Sequence, residues 1–256
     1  MTRQVDLNAD LGEGFGNWPA PADVRLLAAV TSANVACGFH AGDPGTLRAT
    51  TRSAQAQGVV VGAHVSYPDL LGFGRRFMDL SPDQLTDATL HQLSVLAGFA
   101  RVAGTAMAYV KAHGALYKAL LHHEEQARGL VEAIVAFDDQ LAVLHLPGSV
   151  LAAAAERAGV RVVREAFADR AYHPDGSLVP RREPGAVLHD VDAVAERVRR
   201  MVVDQEVVAS DGTVLAIATE SICVHGDTPQ AARMAEAIKA VLVGAGVRLT
   251  AFAPSS

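Results

Sequence analysis

The stretch from Asp6 to Glu13, with the sequence DLNADLGE, decides the fold of this chain. Its apolar residues Leu7, Ala9 and Leu11 alternate with polar ones, a period of two that predicts a β-strand followed by a turn. The polar side chains of such a strand share one face. In a barrel or a doubly wound sheet, a polar face is expected only at the carboxyl end of the strand.

Predicted strands and helices alternate along the rest of the chain, which is typical of an α/β fold. Asp43-Pro44 and Ser81-Pro82 each combine a capping side chain with a proline, which predicts the start of a helix. Asp211-Gly212 between two apolar runs predicts a hairpin turn. Further strands are predicted over residues 32–37, 59–61, 106–111, 141–145, 160–165 and 247–252, and helices over 21–30, 43–58, 81–104, 114–138, 150–158, 191–204 and from 227 onwards.

Seven or so strand–helix units in 256 residues match the size of a (β/α) barrel. The sequence has no linker rich in serine or proline, so we expect one domain over residues 1–256 with an irregular, TIM-like (β/α)-barrel fold. A doubly wound open sheet is the competing architecture. Its first turn would carry a glycine-rich dinucleotide loop, and the spacing of Gly12, Gly14 and Gly16 does not fit one.

Composition narrows the possible partners and the location of the protein. Half of the residues are hydrophobic but only 5% are aromatic, so we expect Ala, Val and Leu to fill the interior. The net charge of −6 argues against a nucleic-acid-binding surface. We expect a cytoplasmic protein without membrane association, because neither a secretory signal nor a membrane-spanning apolar stretch is present. Cys37 and Cys223 are far apart in sequence, which favours reduced thiols over a disulfide.

Reactive side chains recur at the predicted carboxyl ends of the strands. In a parallel barrel these ends share one mouth, so residues distant in sequence would converge on one pocket. One such residue could be explained by packing, but a series is harder to explain that way, because each buried polar group needs its own partner. The series comprises Asp10, Glu13, His40, His64, Lys111, His113, Glu165, Asp169, His225 and Asp227.

Two kinds of chemistry suit the catalytic residues that we predict at this mouth. Asp10, His64 and His113 could form an aspartate and two-histidine site for a divalent metal ion that holds a water molecule. The same three residues could equally perform metal-free acid–base chemistry, in which a carboxylate orients an imidazole that deprotonates water. Lys111 lies two positions before His113 and would stabilise a developing negative charge or bind a carboxylate.

The other polar residues of the mouth are expected to contact the substrate. The loop from Gly72 to Arg76 offers backbone N–H groups and guanidinium groups that suit a carboxylate or a phosphate, although an ordinary exposed loop explains it as well. An internal ion pair likewise explains the segment Glu165–Arg170 as well as catalysis does. The predicted substrate-binding residues are Asn8, Glu13, His40, Arg75, Asp169 and His225.

Two absent motifs exclude common classes of enzyme. The chain contains no G-x-S-x-G sequence, which argues against a serine hydrolase with a nucleophile elbow. It also contains no Gly-Lys dipeptide and therefore no P-loop, so ATP is not bound through one.

Several of these motifs resemble the LamB/YcsF family, the A subunits of bacterial ATP-dependent 5-oxoprolinase. The resemblance runs in order from near residue 5 to the last helix. It is carried by DLNADLGE from Asp6, SANVACGFHAGD from Ser32, Gly62-Ala63-His64, Lys111-x-His113-Gly114, Phe167-Ala168-Asp169-Arg170, DGSLVPR from Asp175, and His225-Gly226-Asp227.

The resemblance implies a fold, an activity and partners. The fold would be a (β/α) barrel related to that of carbohydrate deacetylases. The activity would be hydrolysis of the lactam of 5-oxo-L-proline to L-glutamate, coupled to ATP hydrolysis, in a complex with the partner subunits B and C. In the deacetylase relatives an aspartate and two histidines at strand ends hold a divalent metal, and by position these correspond to Asp10, His64 and His113.

The missing P-loop leads to a hypothesis about the division of labour. A lactam is a resonance-stabilised amide, and phosphorylation of its oxygen would make it a good electrophile. The partners would carry out this step with ATP, and Arg75 and Lys111 of this chain would bind the carboxylate and phosphate of the activated ring. Two other hypotheses stay open: a metal-dependent deacetylase or amidohydrolase that acts alone, and a non-catalytic scaffold that only holds the substrate.

Overall fold

The fold is a closed barrel of parallel strands surrounded by helices. It is seen in a computed structural model that describes residues 3–18, 23–225 and 230–254. The strands are β1 (Gln4–Leu11), β2 (Ser32–Ala36), β3 (Val60–Val65), β4 (Met107–Ala112), β5 (Ala142–His145), β6 (Val162–Phe167), β7 (Glu206–Val208), β8 (Val214–Ala216), β9 (Ser221–Val224) and β10 (Arg248–Leu249).

Seven of these strands close the barrel, in the order β1-β2-β3-β4-β5-β6-β9, because β9 pairs with both β6 and β1. The predicted TIM-like (β/α) barrel is therefore confirmed. The helices are α1 (Asp23–Leu27), α2 (Pro44–Ala56), α3 (Pro82–Ala103), α4 (Gly114–Ala119), α5 (Glu124–Phe137), α6 (Val150–Arg157), α7 (Val191–Arg199) and α8 (Ala231–Gly244). None of the helices in the described ranges is long and apolar enough to cross a membrane.

Local sequence signals set several of the boundaries correctly. The side chain of Asp43 accepts hydrogen bonds from the backbone N–H groups of Gly45 and Thr46 at the start of α2. Ser81 and Gln84 form a reciprocal capping box at the start of α3. The predicted hairpin turn joins β7 and β8, which pair in antiparallel fashion.

Other boundaries differ from the prediction. The helix predicted over residues 114–138 is interrupted at 120–123, where the side chain of His123 caps the start of α5. The strand predicted over 160–165 runs instead from Val162 to Phe167, which places Glu165 inside the barrel wall. The closing strand is reduced to β10, which pairs only with Gln4 and Val5 of β1. The predicted starts of the first and last helices, at residues 21–22 and 227–229, lie outside the described residues.

The barrel axis is more polar than we expected from the sequence. Leu7, Ala9 and Leu11 of β1 pack in the hydrophobic core, whereas the alternate residues Asp6, Asn8 and Asp10 are buried on the opposite face. The polar face therefore extends along the whole strand, and the prediction that it is confined to the carboxyl end is wrong. It is tolerated because neighbouring strands supply hydrogen-bond partners for the buried groups.

The hydrogen bonds of Asp6 show how the buried polar groups of this face find partners. Its carboxylate accepts hydrogen bonds from the hydroxyls of Thr31 and Ser32, each at 2.6 Å, and from that of Ser221. Asn8 in turn donates to Ser221 at 2.7 Å and to Glu165 at 3.3 Å. The polar groups thus form a continuous network across the barrel.

Apolar packing lies in two other places. The predicted filling of Ala, Val and Leu occupies the layer between strands and helices, where Val35, Val61 and Val143 are fully buried. A second, smaller cluster lies around the ring of Tyr109. Its buried members are Val60, Tyr109, Ala142, Leu144 and Val163, and Phe252 packs against them.

Replacement of Asp6 by asparagine tests the cost of this buried carboxyl. Burial raises the pKa of Asp6 to about 6, despite the hydroxyl groups that stabilise its charge. The folded protein therefore holds this proton more tightly than the unfolded chain, and stability is lost as the pH rises from about 4 through about 6. We expect the stability of Asp6→Asn relative to the wild type to increase by about 2 kcal/mol between pH 4 and pH 7. Urea unfolding at both pH values measures this difference, and an equal difference at the two pH values would contradict it.

Candidate active site

The carboxyl ends of the barrel strands surround a cavity of about 350 Å³. Asp10, Glu13, His64, Lys111 and His113 line its deep part. The structure thus brings the four predicted catalytic residues together around one pocket. The other lining residues include Tyr117, Phe167 and His225, and five cationic side chains that we call the basic wall: Arg75, Lys118, Arg170, Arg181 and Arg182.

Lys111 is the central charge of the deep part. Its Nζ lies 2.8 Å from Glu165 Oε1 and 3.2 Å from Asp10 Oδ1, and it also donates to Asn8 Oδ1 at 3.2 Å and to Cys223 Sγ at 3.0 Å. Burial alone would lower the pKa of this lysine, but Asp10, Cys223 and Glu165 raise it well above its usual value. Lys111 therefore stays charged at neutral pH.

Asp10 lies between Lys111 and the histidines. Its Oδ2 is 3.4 Å from His64 Nε2, and its Oδ1 accepts a hydrogen bond from Asn34 Nδ2 at 2.8 Å. Burial would raise the pKa of this carboxyl, yet the neighbouring His64 and Lys111 hold it well below its usual value. Asp10 is consequently ionised under all ordinary conditions.

The orientations of His64 and His113 follow from their backbone partners. His64 Nδ1 lies 3.3 Å from the carbonyl oxygen of Lys111, and His113 Nε2 lies 2.8 Å from that of Phe73. Because a carbonyl only accepts, these two nitrogens carry the hydrogens. The lone pairs then fall on His64 Nε2 and His113 Nδ1, which face each other at 3.0 Å. Two facing lone pairs need a proton or a cation between them.

Glu13 and His40 complete this cluster. Glu13 Oε1 lies 3.3 Å from His40 Nε2 and 3.4 Å from His113 Nδ1, and the rings of His40 and His113 stack at 3.9 Å. Burial lowers the pKa of both rings well below the usual value, and the neighbouring imidazoles lower it further. Both rings are therefore neutral, which is the form that binds metal ions.

This donor set fits a divalent metal ion. Glu13, His40, His64 and His113 each offer one ligand atom, and these atoms lie within 4.8 Å of one another. The backbone carbonyls that orient His64 and His113 are typical of metal-binding histidines. The set shares both histidines with the predicted ligands, whereas Asp10 belongs to a second cluster with Cys223 and His225. Imidazole and carboxylate ligands suit Zn²⁺ and other first-row divalent ions.

A second pair of ionisable groups lies on another wall of the cavity. His225 Nδ1 is 2.7 Å from Asp169 Oδ1, and the imidazole stacks on the ring of Phe167 at 5.4 Å. Although burial opposes it, the charge of His225 lowers the pKa of Asp169. Such a carboxylate fixes the orientation of its imidazole and stabilises the protonated ring.

The predicted substrate-binding residues fall into two groups. Glu13, Arg75 and His225 line the cavity. The other three lie behind it: Asn8 contacts Lys111, His40 packs on His113, and Asp169 holds His225. Glu165 forms an internal ion pair, but with Lys111 rather than with Arg170.

The loop from Gly72 to Arg76 does not offer free backbone N–H groups, so that expectation is wrong. The N–H groups of Gly72 and Gly74 donate to the side chain and the carbonyl of Asp69, and that of Arg75 donates to the carbonyl of Gly72. The loop instead positions His113 through the carbonyl of Phe73. Phe73 adopts a left-handed backbone conformation, with φ of 52°, to present this oxygen.

Replacement of Gly74 by alanine tests this support. A Cβ at Gly74 would overlap Ser66 Oγ and lie 2.8 Å from His113 Cδ2, and φ is +63°. We expect Gly74→Ala to lower the free energy of unfolding by about 1–3 kcal/mol more than Gly104→Ala. Gly104 is a matched control, because its φ is +79° but a Cβ there would meet nothing within 4 Å. Equal losses in denaturant unfolding would show that the loop has room to move.

Sequence reasoning missed several residues of the cavity. Arg181 and Arg182 were not among the predicted site residues, yet both line the cavity from the loop after β6. The sequence signals were a basic pair inside a long loop that follows a barrel strand and, for Arg181, the DGSLVPR motif. Tyr117, whose hydroxyl donates to Glu165 Oε2 at 2.9 Å, gave no sequence signal.

Comparison with known proteins places this barrel among its relatives. A protein of Kocuria rhizophila, named as the A subunit of 5-oxoprolinase, is 54% identical over 249 residues, which cover 97% of this chain and 99% of the relative. The crystal structure of a lactam utilization protein from Thermus thermophilus superposes with a TM-score of 0.93 at 43% identity, and the match covers 97% of this chain and all of that one.

A more distant likeness concerns the fold alone. A family 4 carbohydrate esterase from Streptomyces lividans matches with a TM-score of 0.50 at 14% identity, over 98% of this chain and 94% of that one. The model of the LamB/YcsF family matches residues 5–256. With the relatives above, this match shows that the chain belongs to the LamB/YcsF family.

Proposed function

We propose that this chain is the ring-opening subunit of a cytoplasmic, ATP-dependent 5-oxoprolinase that converts 5-oxo-L-proline to L-glutamate together with partner subunits B and C. The names of its relatives support the substrate class. The observation that carries the proposal is the ionised Asp10 beside His64 and Lys111 in the deep part of one cavity. A carboxylate, an imidazole and a fixed cation are the groups that addition of water to an amide requires.

The need for partners follows from the chemistry of the lactam. Its amide carbon is a poor electrophile because the nitrogen lone pair is delocalised onto the oxygen. Phosphorylation of that oxygen removes this resonance, and the chain has no P-loop with which to perform the phosphorylation. We assign the ATP-dependent step to the partners and the addition of water to this chain.

Each group of the cavity has a role in the addition of water. His64 Nε2, which carries a lone pair, accepts a proton from the attacking water, and Asp10 at 3.4 Å stabilises the imidazolium that results. Lys111 stabilises the negative charge that develops on oxygen. His225, oriented by Asp169, donates the proton that the ring nitrogen needs when it leaves.

A metal ion would bind within the same cavity. Glu13, His40, His64 and His113 would hold it, with the lone pair of His64 as a ligand in place of its role as proton acceptor, and the ion would act as a Lewis acid that lowers the pKa of bound water. Lys111 and the Asp169–His225 pair are not among these four ligands, so the roles proposed for them do not depend on a metal ion.

Reconstitution tests the division of labour. The chain alone, supplied with 5-oxo-L-proline and ATP, is expected to produce neither glutamate nor ADP, and addition of subunits B and C is expected to restore both products. Glutamate formation by the chain alone would overturn the proposal. A mixture in which subunits B and C make glutamate without this chain would overturn it as well.

The histidine cluster favours one second candidate function, a metal-dependent amidohydrolase or deacetylase that acts alone. That function would need stoichiometric metal and no ATP. Metal analysis of the purified chain, followed by assays of acetylated sugars and simple lactams with and without a chelator, separates the two. Hydrolysis that is lost with the chelator and independent of ATP would favour the second candidate.

A further inference from the structure

The basic wall concentrates positive charge in a protein whose net charge is −6. The five cationic side chains of the basic wall line the cavity together with Lys111, whereas Asp10 and Glu13 are the only carboxylates among the lining residues that the structure describes. Those two carboxylates are already engaged with Lys111 and the histidine cluster.

The arrangement of the basic wall is built into the fold. Arg170 is buried, and its guanidinium donates to the carbonyls of Val179 at 2.6 Å and Ala186 at 3.3 Å. Lys118 belongs to α4, the helix that directly follows His113. Burial lowers the pKa of Lys118, and the nearby arginines of the basic wall lower it further. A cluster of like charges favours a bound anion.

The size and charge of the cavity suit a ligand that is larger and more negatively charged than a small carboxylic acid. A five-membered lactam with one carboxylate fills only part of about 350 Å³ and carries one negative charge. A phosphoryl group adds volume and a second and third charge. Arginine is well suited to bind it, because its planar guanidinium donates two hydrogen bonds at once.

We propose that the basic wall is a phosphate-binding subsite, formed mainly by Lys118 and Arg182 against the fixed charge of Arg170, that holds a phosphoryl group carried on the activated substrate. This inference rests on the proposed function and specifies the form in which the lactam reaches this chain. A phosphoryl-transfer reaction to the lactam oxygen must therefore precede the reaction in this cavity.

The reaction conserves atoms and electrons at each step. ATP, bound by the partners, transfers its terminal phosphoryl group to the lactam oxygen and leaves as ADP, and the lactam N–H proton is released to solvent, which leaves a ring C=N bond. Water then forms a bond from its oxygen to the ring carbon, one of its protons passes to His64, and His225 gives a proton to the nitrogen. The C–N bond breaks and its electron pair stays on nitrogen, which takes up the remaining hydroxyl proton as the C=O bond forms. The product is an acyl phosphate, which a second water converts to glutamate and inorganic phosphate.

Titration calorimetry with inorganic phosphate tests the subsite on the chain alone, without any dependence on turnover. We expect one phosphate per chain at moderate salt, and a loss of affinity of about tenfold or more in Lys118→Met/Arg182→Met. Lys118→Arg keeps the charge and is expected to keep the affinity. The matched control is Arg101→Met/Arg157→Met, because both arginines are exposed in the last turns of α3 and α6.

The outcomes of this titration are all decisive. Absence of phosphate binding in the wild type, or unchanged binding in Lys118→Met/Arg182→Met, would overturn the subsite. A double variant that keeps phosphate affinity but no longer associates with subunits B and C would identify the basic wall as a docking surface instead. His64→Asn is expected to bind phosphate with the wild-type affinity. Failure of the proposed hydrolytic role would therefore leave phosphate binding intact, whereas failure of the subsite would not.

Turnover of the complex distinguishes the two sources of the phosphate. If the group is carried on the substrate, Lys118→Met/Arg182→Met forms less glutamate for each ATP hydrolysed, because the activated lactam decays before it is held. If only free phosphate binds, the ratio of glutamate to ADP is unchanged while inhibition by added phosphate is lost, and the assignment to the substrate is overturned.

Discussion

Replacement of Lys111 by methionine is expected to lower the free energy of unfolding by about 3–5 kcal/mol at pH 7, the usual cost of removing one partner from a buried ion pair. Its ammonium group is the shared partner of Glu165 at 2.8 Å and Asp10 at 3.2 Å. Without it, two buried carboxylates would lose the cation that they share. Urea unfolding measures the loss.

The pH and a second substitution separate this mechanism from a simple packing defect. The loss is expected to shrink towards pH 5, because the unpaired carboxyls take up protons, and Glu165→Gln is expected to recover part of it in the Lys111→Met background. Lys239→Met, at an exposed position of α8, is the matched control and is expected to change stability little. A loss that is the same at both pH values and in both backgrounds would show that the charge of Lys111 is not the reason for its burial.

The fold was predictable because its signals are local. The alternation of Leu7, Ala9 and Leu11 and the caps at Asp43 and Ser81 each depend on residues within a few positions of one another. The strand–helix rhythm then leaves few topologies to consider. The polar barrel axis was not predictable in this way, since the partners of Asp6 come from Thr31, Ser32 and Ser221.

The site was predictable in part for the same reason. Residues at strand ends, such as His64 and His113, converge because parallel strands share one mouth. The tasks of individual residues depend on contacts that sequence spacing does not encode. Asp169, predicted to bind substrate, holds His225, and the loop from Gly72 to Arg76, for which anion binding and an ordinary exposed loop were both open, holds His113.

The largest effect on activity is expected for His64→Asn. It removes the lone pair to which we assign the acceptance of a proton from water, and general base catalysis contributes about 10²- to 10⁴-fold to a rate. We therefore expect kcat for glutamate formation by the complex to fall by about that factor, whether His64 acts alone or as a metal ligand. Steady-state assays with subunits B and C measure the change.

The control and a second variant make this result specific to His64. His91→Asn alters an exposed histidine of α3 and is expected to leave kcat near the wild-type value. Association with the partners, followed by gel filtration, is expected to persist in His64→Asn, because this ring is buried in the cavity rather than on the surface. If His64→Asn does not fold, Asp10→Asn tests the same chemistry, since it removes the charge at 3.4 Å that stabilises the imidazolium. A complex that assembles with either variant and still forms glutamate at the wild-type rate would mean that this chain serves as a scaffold and that the water is activated elsewhere.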